Sequence, residues 1–397
     1  MTAVAPEAPD RVLVPASALL WGLQFAFLNP AIGIILVTLY DATPGEVGLA
    51  LAVYNVSGFV STLVVPTRAD RSGDYLVPML WCGGFTVALT TALALSTTLP
   101  PAVLALVALG GPAGVGIGLL FAHQRSSGAG VQEVMRTRAV FSFAWVAGPP
   151  LAAFLMGLLG NRSVLWAIAG VALLGLGVTV AMIRQRSSSA DPAAVAPAPG
   201  DRLVAAVRRP GVPLLMVALV LLMAAGSAAV SALPLLVTQQ LGLDVIWSGI
   251  ALGVAAGLEI PVLLTLGRMA PRYGQRRLVA GGCAAGVAYF AAMTLCSGPV
   301  LLVAAQPLNA VFVSAVSGLG LTLVQDVVGR PGLASALFMN TTRVGAIIAG
   351  PVLACGGLRG IGYSGVFAVC GALVLVGFGM LVLERSRSRG RSAGRRS

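Results

Sequence analysis

The chain has 397 residues, of which 57% are hydrophobic and only 10% charged, and its mean hydropathy is +0.94. A soluble protein of this size carries roughly 25% charged residues to face water, so a soluble globule is excluded and lipid is the expected solvent. The net charge of +12 would suit a polyanion, but its basic residues are spread between apolar stretches without interleaved aromatics, which argues against nucleic acid.

About 20 apolar residues cross a bilayer as a helix. Apolar runs between charged or Pro/Gly-rich breaks predict twelve spans. Six lie near 13–39, 46–66, 76–97, 101–122, 139–160 and 164–183, and six near 213–237, 246–266, 278–296, 299–322, 334–357 and 362–383. The expected organisation is an N-terminal six-helix bundle over 1–183, a cytoplasmic linker over 184–212, a C-terminal six-helix bundle over 213–383, and a disordered basic tail over 384–397. The leading segment MTAVAPEAPD is polar and acidic, unlike a cleavable signal peptide, so the first span is expected to act as its own insertion signal.

Arginine placement tests this count. With both termini cytoplasmic, 22 of the 25 arginines fall in tails, cytoplasmic loops or adjacent helix ends. Arg162 and Arg359 fall on the other side, and Arg343 lies inside a span. That asymmetry follows the positive-inside rule, and an odd span count would destroy it. The expected topology is therefore multi-pass, with both ends cytoplasmic.

Taken in chain order, the polar groups at depth come first. Gln24 and Asn29 lie in the first span, Tyr54 and Asn55 in the second, and Trp145 in the fifth. Gln306 and Asn309 share a face of the tenth, and Asn340 lies in the eleventh. Amides and aromatics suit a neutral polyhydroxyl ligand, which needs hydrogen bonds and a stacking surface without formal charge. The competing reading for each is a helix–helix hydrogen bond.

After the second span comes Arg68-Ala-Asp70-Arg71-Ser-Gly73-Asp74. After the eighth comes Gly267-Arg268-Met-Ala-Pro271-Arg272-Tyr-Gly274-Gln-Arg276-Arg277. A tight loop needs glycine for its turn, and the charges suit pairs that break when two halves rock. Asp70, Arg71, Gly73, Arg272, Gly274 and Arg276 are thus candidate gating residues. Gly148-Pro149 in the fifth span and Gly350-Pro351 in the eleventh join them, because proline removes a helix donor and glycine admits a close neighbour.

Glu259 lies well inside the eighth span. A charge there costs roughly 3 kcal/mol, and protonating an ordinary glutamate at pH 7 costs about 3.7 kcal/mol. The two costs are similar, so its charge can switch with environment, as a proton-coupling residue requires. The alternative is a structural carboxylate. Arg343 should face the interior, with Glu259 or Asp326 as partner, though Asp326 also reads as a helix-end charge. The one histidine, His123, cannot make a metal site. The five cysteines form no CxxC pair and read as small buried hydrophobes. No GxSxG, HExxH or P-loop occurs, so neither an enzyme nor a resident cofactor is expected.

The halves also repeat. Gly48-Leu-Ala50-Leu51-Ala-Val53 matches Gly249-Ile-Ala251-Leu252-Gly-Val254 at an offset of 201. Arg71-Ser-Gly73 matches Arg272-Tyr-Gly274 at the same offset, and Gly148-Pro149 matches Gly350-Pro351 at 202. Six-helix halves related by duplication make parallel repeats around a midplane site.

This layout and both loop motifs resemble the major facilitator superfamily. More closely, the chain is similar to the sugar efflux transporter family of bacterial inner membranes. The similarity rests on Phe141-Ser-Phe-Ala-Trp145-Val-Ala-Gly148-Pro149-Pro150, Ala255-Ala-Gly-Leu-Glu259-Ile-Pro261, Arg272-Tyr-Gly274-Gln-Arg276-Arg277 and Gln306-Pro-Leu-Asn309-Ala-Val-Phe312. It implies an all-α membrane protein with two pseudo-symmetric bundles, the major facilitator fold, and proton-driven export of sugars or glycosides by a monomer. Two departures stand out. Asp74-Tyr75 replaces the usual basic pair after Gly73, which predicts a weaker latch. Ser231-Ala232 stands where an acid is expected, leaving coupling to Glu259 or another group. The alternatives are an exporter of drugs or hydrophobic metabolites, and a membrane-embedded enzyme or scaffold.

Overall fold

The computed structural model describes residues 10–188, 211–244, 246–355 and 362–393. Among the described residues, twelve helices are long and apolar enough to cross a membrane. They are α1 (Asp10–Tyr40), α2 (Pro44–Ser72), α3 (Leu76–Leu95), α4 (Leu99–Ser126), α5 (Val131–Leu159), α6 (Ser163–Ser188), α7 (Val212–Gln240), α8 (Ile246–Tyr273), α9 (Gln275–Thr294), α10 (Pro299–Val328), α11 (Pro331–Ala354) and α12 (Gly362–Ala393). Among the described residues there is no strand.

Several boundaries differ from the sequence expectation. α2 runs to Ser72, so Arg68, Asp70 and Arg71 sit in its last turns and not in a loop. Gly73, at φ 68°, ends it in the left-handed region that favours glycine. α8 likewise carries Arg268 and Arg272, and Gly274 alone (φ 81°) separates it from α9. α5 begins at Val131, eight residues before the expected 139, because Glu133 accepts the Gly130 N–H at 3.3 Å and caps a polar first turn. The linker expected over 184–212 opens with the last turn of α6, and its residues 189–210 lie outside the described ones. The tail expected to be disordered from 384 is helical through Ala393, a continuation of α12, while 394–397 lie outside the described residues.

The chain divides into two compact units. The first comprises 1–200 together with Arg330–Ala336, the start of α11. Small residues set its contacts. A Cβ on Gly22 would lie 2.6 Å from Ala144, and one on Gly148 would collide with Ala26, so α1 and α5 meet almost backbone to backbone. Gly83 admits Leu176 of α6 to α3 in the same way. Phe27, Ile35, Leu36, Leu89, Leu165 and Ile168 fill the space between these helices.

In α4 the ladder is interrupted. Residues Leu106–Gly110 form a π turn, in which each N–H reaches back five residues. Pro112 has no N–H to reach Val107, and the Ser57 hydroxyl of α2 donates to that carbonyl at 2.5 Å instead. Tyr54 and Ser57 pack on Gly110 and Gly111, and Trp21 on Gly116.

The second unit comprises 201–329 and 337–397. Gly282 and Gly286 of α9 receive Ala315 and Phe312 of α10, and Gly377 of α12 lies against Ala218 and Leu222 of α7. Tyr289, Phe290, Phe312 and Phe367 form an aromatic cluster, with Tyr289 and Phe290 centroids 5.0 Å apart. α10 also carries a π turn, over Ser314–Leu319. α4 and α10 each hold a Gly-X-Gly-Leu run, Gly116–Leu119 and Gly318–Leu321, at the repeat offset of 202, whereas α7, which ends in a π turn over Leu236–Gln240, has none.

Candidate functional site

Two constellations occupy the first unit. One is a narrow crevice among α1, α2, α3, α4 and α6, with free space for about one water molecule in this structure. It is lined by Trp21, Gln24, Phe25 and Leu28 of α1, Tyr54 of α2, Thr86 and Leu89 of α3, Gly110, Ala113 and Gly114 of α4, and Ile168 of α6. None of these residues is charged. The broken stretch of α4 opens the space, because its glycines leave no side chains to fill it.

Gln24 is the distinctive group here. It is 5% exposed, and its Oε1 has no hydrogen-bond partner. A buried acceptor without a donor costs about 1–3 kcal/mol, so the oxygen is poised for a donor that enters the crevice. The Thr86 hydroxyl donates to Cys82 O within its own helix. Trp21 is 3% exposed and supplies an indole wall.

The structure thus brings together Gln24 and Tyr54 of the expected ligand set. It adds Trp21, Phe25 and Thr86, which sequence reasoning missed. Trp21 and Phe25 flank Gln24 at helical spacing, and only their aromatic character could have marked them. The other expected groups lie elsewhere. Asn29 and Asn55 are exposed, and their amides donate to Phe25 O and Leu51 O of their own helices. Trp145 is 40% exposed and outside the crevice.

In the second unit, Gln306 is completely buried. Its amide donates to Leu302 O at 2.7 Å, its oxygen accepts from Asn309 at 3.3 Å, and it hydrogen-bonds Tyr289. Both amides thus have hydrogen-bond partners within their own unit. Asn340 is buried in α11.

Glu259 lies half-buried at the middle of α8, and its backbone carbonyl accepts the Ser314 hydroxyl from the π turn of α10 at 3.3 Å. Two residues on, Pro261 removes the helix donor for Gly257 O, which leaves a weak point in α8 beside the carboxylate. Arg343 is half-buried in α11. Asp326 is exposed at the end of α10 and accepts from Gln275 Nε2 at 2.8 Å. This bond joins the ends of α9 and α10.

The second constellation surrounds Asp70. Its Oδ1 accepts the Gly332 N–H at 2.7 Å and the Tyr75 hydroxyl at 2.7 Å, and its Oδ2 accepts the Leu333 N–H at 2.8 Å. Arg330 Nε stands 3.7 Å from Oδ2. The side chain of Asp70 is 3% exposed. Gly332 and Leu333 follow Pro331 in the first turn of α11, where N–H groups lack intrahelical partners and the helix end is positive. Asp70 caps that end from a distance of 262 residues. A Cβ at Gly332 would stand 2.6 Å from Asp70 Oδ1, so only glycine admits the contact. Burial, aided by the Asp70 charge, pushes the Tyr75 phenol above its ordinary range, so it donates as a neutral hydroxyl.

Beside it, Asp74 accepts the Leu76 and Val77 N–H groups at the start of α3 and pairs bidentately with Arg186 of α6 at 3.1 and 3.2 Å. Burial raises the Asp74 carboxyl, but these donors outweigh it and hold the group below the ordinary carboxylate range. Arg71, Gly73, Arg272 and Gly274 are exposed, Arg272 lying over the Tyr273 ring at 5.3 Å, and Arg276 is half-buried. Gly148 meets Ala26 closely, whereas Gly350 has nothing within 4 Å and Pro351 is exposed. The paired Gly-Pro positions thus do different work.

All five cysteines are free, four of them buried and Cys355 partly so. Among the described residues no group of His, Cys, Asp and Glu is placed to hold a metal.

Twelve apolar helices with buried polar groups between them define a polytopic membrane protein, and comparison with known proteins gives its class. The Major Facilitator Superfamily profile matches residues 16–351. Sugar efflux transporter A of Dickeya chrysanthemi is 31% identical over 355 residues, covering 84% of this chain and 85% of the relative. Sugar efflux transporter B of Salmonella typhimurium is 30% identical over 355 residues, with the same coverage. The chain belongs to the Major Facilitator Superfamily and, within it, to the sugar efflux transporters. Two solved structures share the fold. A bacterial homologue of the iron transporter ferroportin in an outward-facing state superposes with a TM-score of 0.76 at 14% identity, covering 94% of this chain and 98% of that one. The superfamily transporter FucP in the outward conformation gives 0.74 at 11% identity, covering 95% and 99%.

Proposed function

We propose that this protein exports sugars or small glycosides across the bacterial cytoplasmic membrane by proton antiport, alternating between access to the two sides, with both termini cytoplasmic. The observation that carries the ligand class is the buried Gln24 Oε1, an acceptor without a donor in an uncharged, aromatic-walled crevice. A sugar hydroxyl supplies that donor, and Trp21 or Tyr54 supplies a face for the C–H side of a pyranose ring. A phosphorylated sugar would bring a charge that no lining residue neutralises. Membership of the sugar efflux transporters supports the same class and the outward direction.

Coupling falls to Glu259, with Arg343 as the fixed charge of the same unit. Protonation from outside and release inside would return the carrier against sugar leaving. Pro261 supports this reading, because it leaves Gly257 O without its helix donor two residues from the carboxylate. Gating falls to Asp70, whose cap on α11 must break and reform in each cycle.

Proteoliposomes loaded with labelled glucose or lactose, under an imposed pH gradient, test the reading. Wild type should release sugar faster with the gradient, Gln24→Ala should lose most of that flux, and Glu259→Gln should lose its dependence on the gradient. No sugar movement, with Glu259→Gln indistinguishable from wild type, sinks it. One observation favours a second reading, export of hydrophobic metabolites: Phe25, Leu28, Leu89 and Ile168 make most of the crevice wall apolar. A thermal-shift screen in detergent over sugars and lipophilic drugs separates the two.

A further inference from the structure

The residues that replace the usual basic pair after Gly73 predict a weak latch, yet Tyr75 donates to Asp70 while Asp74 fixes the head of α3 beside it. We propose that Tyr75 is a positioning residue of the latch, its hydroxyl holding the Asp70 carboxylate in the orientation that caps α11. The inference rests on the gating role given to Asp70 above.

Four groups converge on one carboxylate, and they are not equivalent. Arg330, whose Nε stands 3.7 Å from Oδ2, supplies charge from the residue just before α11. The Gly332 and Leu333 amides belong to the element that is capped, so they cannot orient the cap before it engages. Tyr75 alone comes from the same turn as Asp70, five residues on, and its hydroxyl shares Oδ1 with Gly332. Its ring is 4% exposed. The ring is in turn held, because Asp74 accepts the Leu76 and Val77 amides at the head of α3 and is pinned by Arg186. A basic residue in this place would neutralise Asp70 and compete with the positive end of α11. A phenol leaves the charge intact and fixes only its direction. The Asp-Tyr pair therefore strengthens the directional part of the latch.

Amide hydrogen exchange reads the cap directly. The full chain in lipid nanodiscs is compared as wild type, Tyr75→Phe, Asp70→Asn and the double variant, following peptides that cover 332–334 and 76–80. Tyr75→Phe should speed exchange at Gly332 and Leu333 about tenfold, the scale of one hydrogen bond to a charged group. Peptide 76–80 should not change. In the Asp70→Asn background, Tyr75→Phe should add nothing. Wild-type exchange in Tyr75→Phe overturns the proposal. So do equal increments in both backgrounds, or a parallel loss of protection in 76–80, which would make the hydroxyl a prop for α3. Transport by Asp70→Asn is measured separately. If that is unimpaired, the gating role fails even where Tyr75 does orient the carboxylate.

Discussion

Gln24 is a residue kept at a cost to the empty protein. Replacing a buried, unpartnered amide by leucine removes an unsatisfied acceptor and keeps the volume similar. Gln24→Leu is therefore expected to leave the melting temperature unchanged or raised while sugar release falls at least tenfold, as measured by thermal unfolding and liposome flux. A loss of both would mean that the amide has a packing partner. Asp74 gives a residue-level pH dependence. Its folded-state carboxyl lies below the ordinary range, so its stabilisation is present above that range and is lost as pH falls through it. Wild type should lose more melting temperature than Asp74→Asn as pH is taken from about 5 to about 2, through and below the ordinary carboxylate range. Equal losses would show the Arg186 pair to be without weight, as many exposed pairs are. At this scale much of the site was hidden from sequence. Gln24 and Tyr54 were legible as polar groups in apolar runs, but Gln306 carried the same mark and turned out to be wholly buried in hydrogen bonds to its own bundle. A polar residue at depth does not disclose whether its partner is a helix or a ligand.

Elements show where the duplicated pattern holds and where it has parted. Gly148-Pro149 and Gly350-Pro351 look alike in sequence, yet Gly148 presses on Ala26 and Gly350 faces open space. Gly148→Ala should therefore destabilise the bundle by about 1–3 kcal/mol through overpacking. Gly350→Ala should be neutral or slightly stabilising, since alanine is the better helix residue by about 1 kcal/mol. Thermal unfolding of the two variants side by side checks the contrast, and equal shifts would contradict it. The loop motifs parted in a similar way. At the offset of 201, Asp70 corresponds to Pro271, so a capping acid is present in one copy and lacking in the other. Helix number and rough limits were legible because hydropathy is a local property. The extension of α2 through Arg68, Asp70 and Arg71 was not, since charged residues end an apolar run before they end a helix.

For the whole molecule, the even count of helices came from arginine bookkeeping and holds in the structure as twelve spans. The orientation that follows is testable apart from any transport. Epitope tags before α1 and after α12 should both be protected in intact spheroplasts and become accessible on lysis, whereas one tag exposed on intact cells would break the assignment. What no local reading could reach is the contact between Asp70 and the start of α11. Neither residue pattern names the other, and only folding brings them together.

That contact has a consequence for how the protein is made. Arg330–Ala336 cluster with the first unit, but the ribosome adds them long after α6 ends at Ser188. At 5–20 residues per second the interval is roughly 7–30 s. Throughout it the Asp70 carboxylate lacks the two backbone donors that hold it in the complete chain. Tyr75, made five residues after Asp70, is the hydrogen-bond partner that translation supplies first.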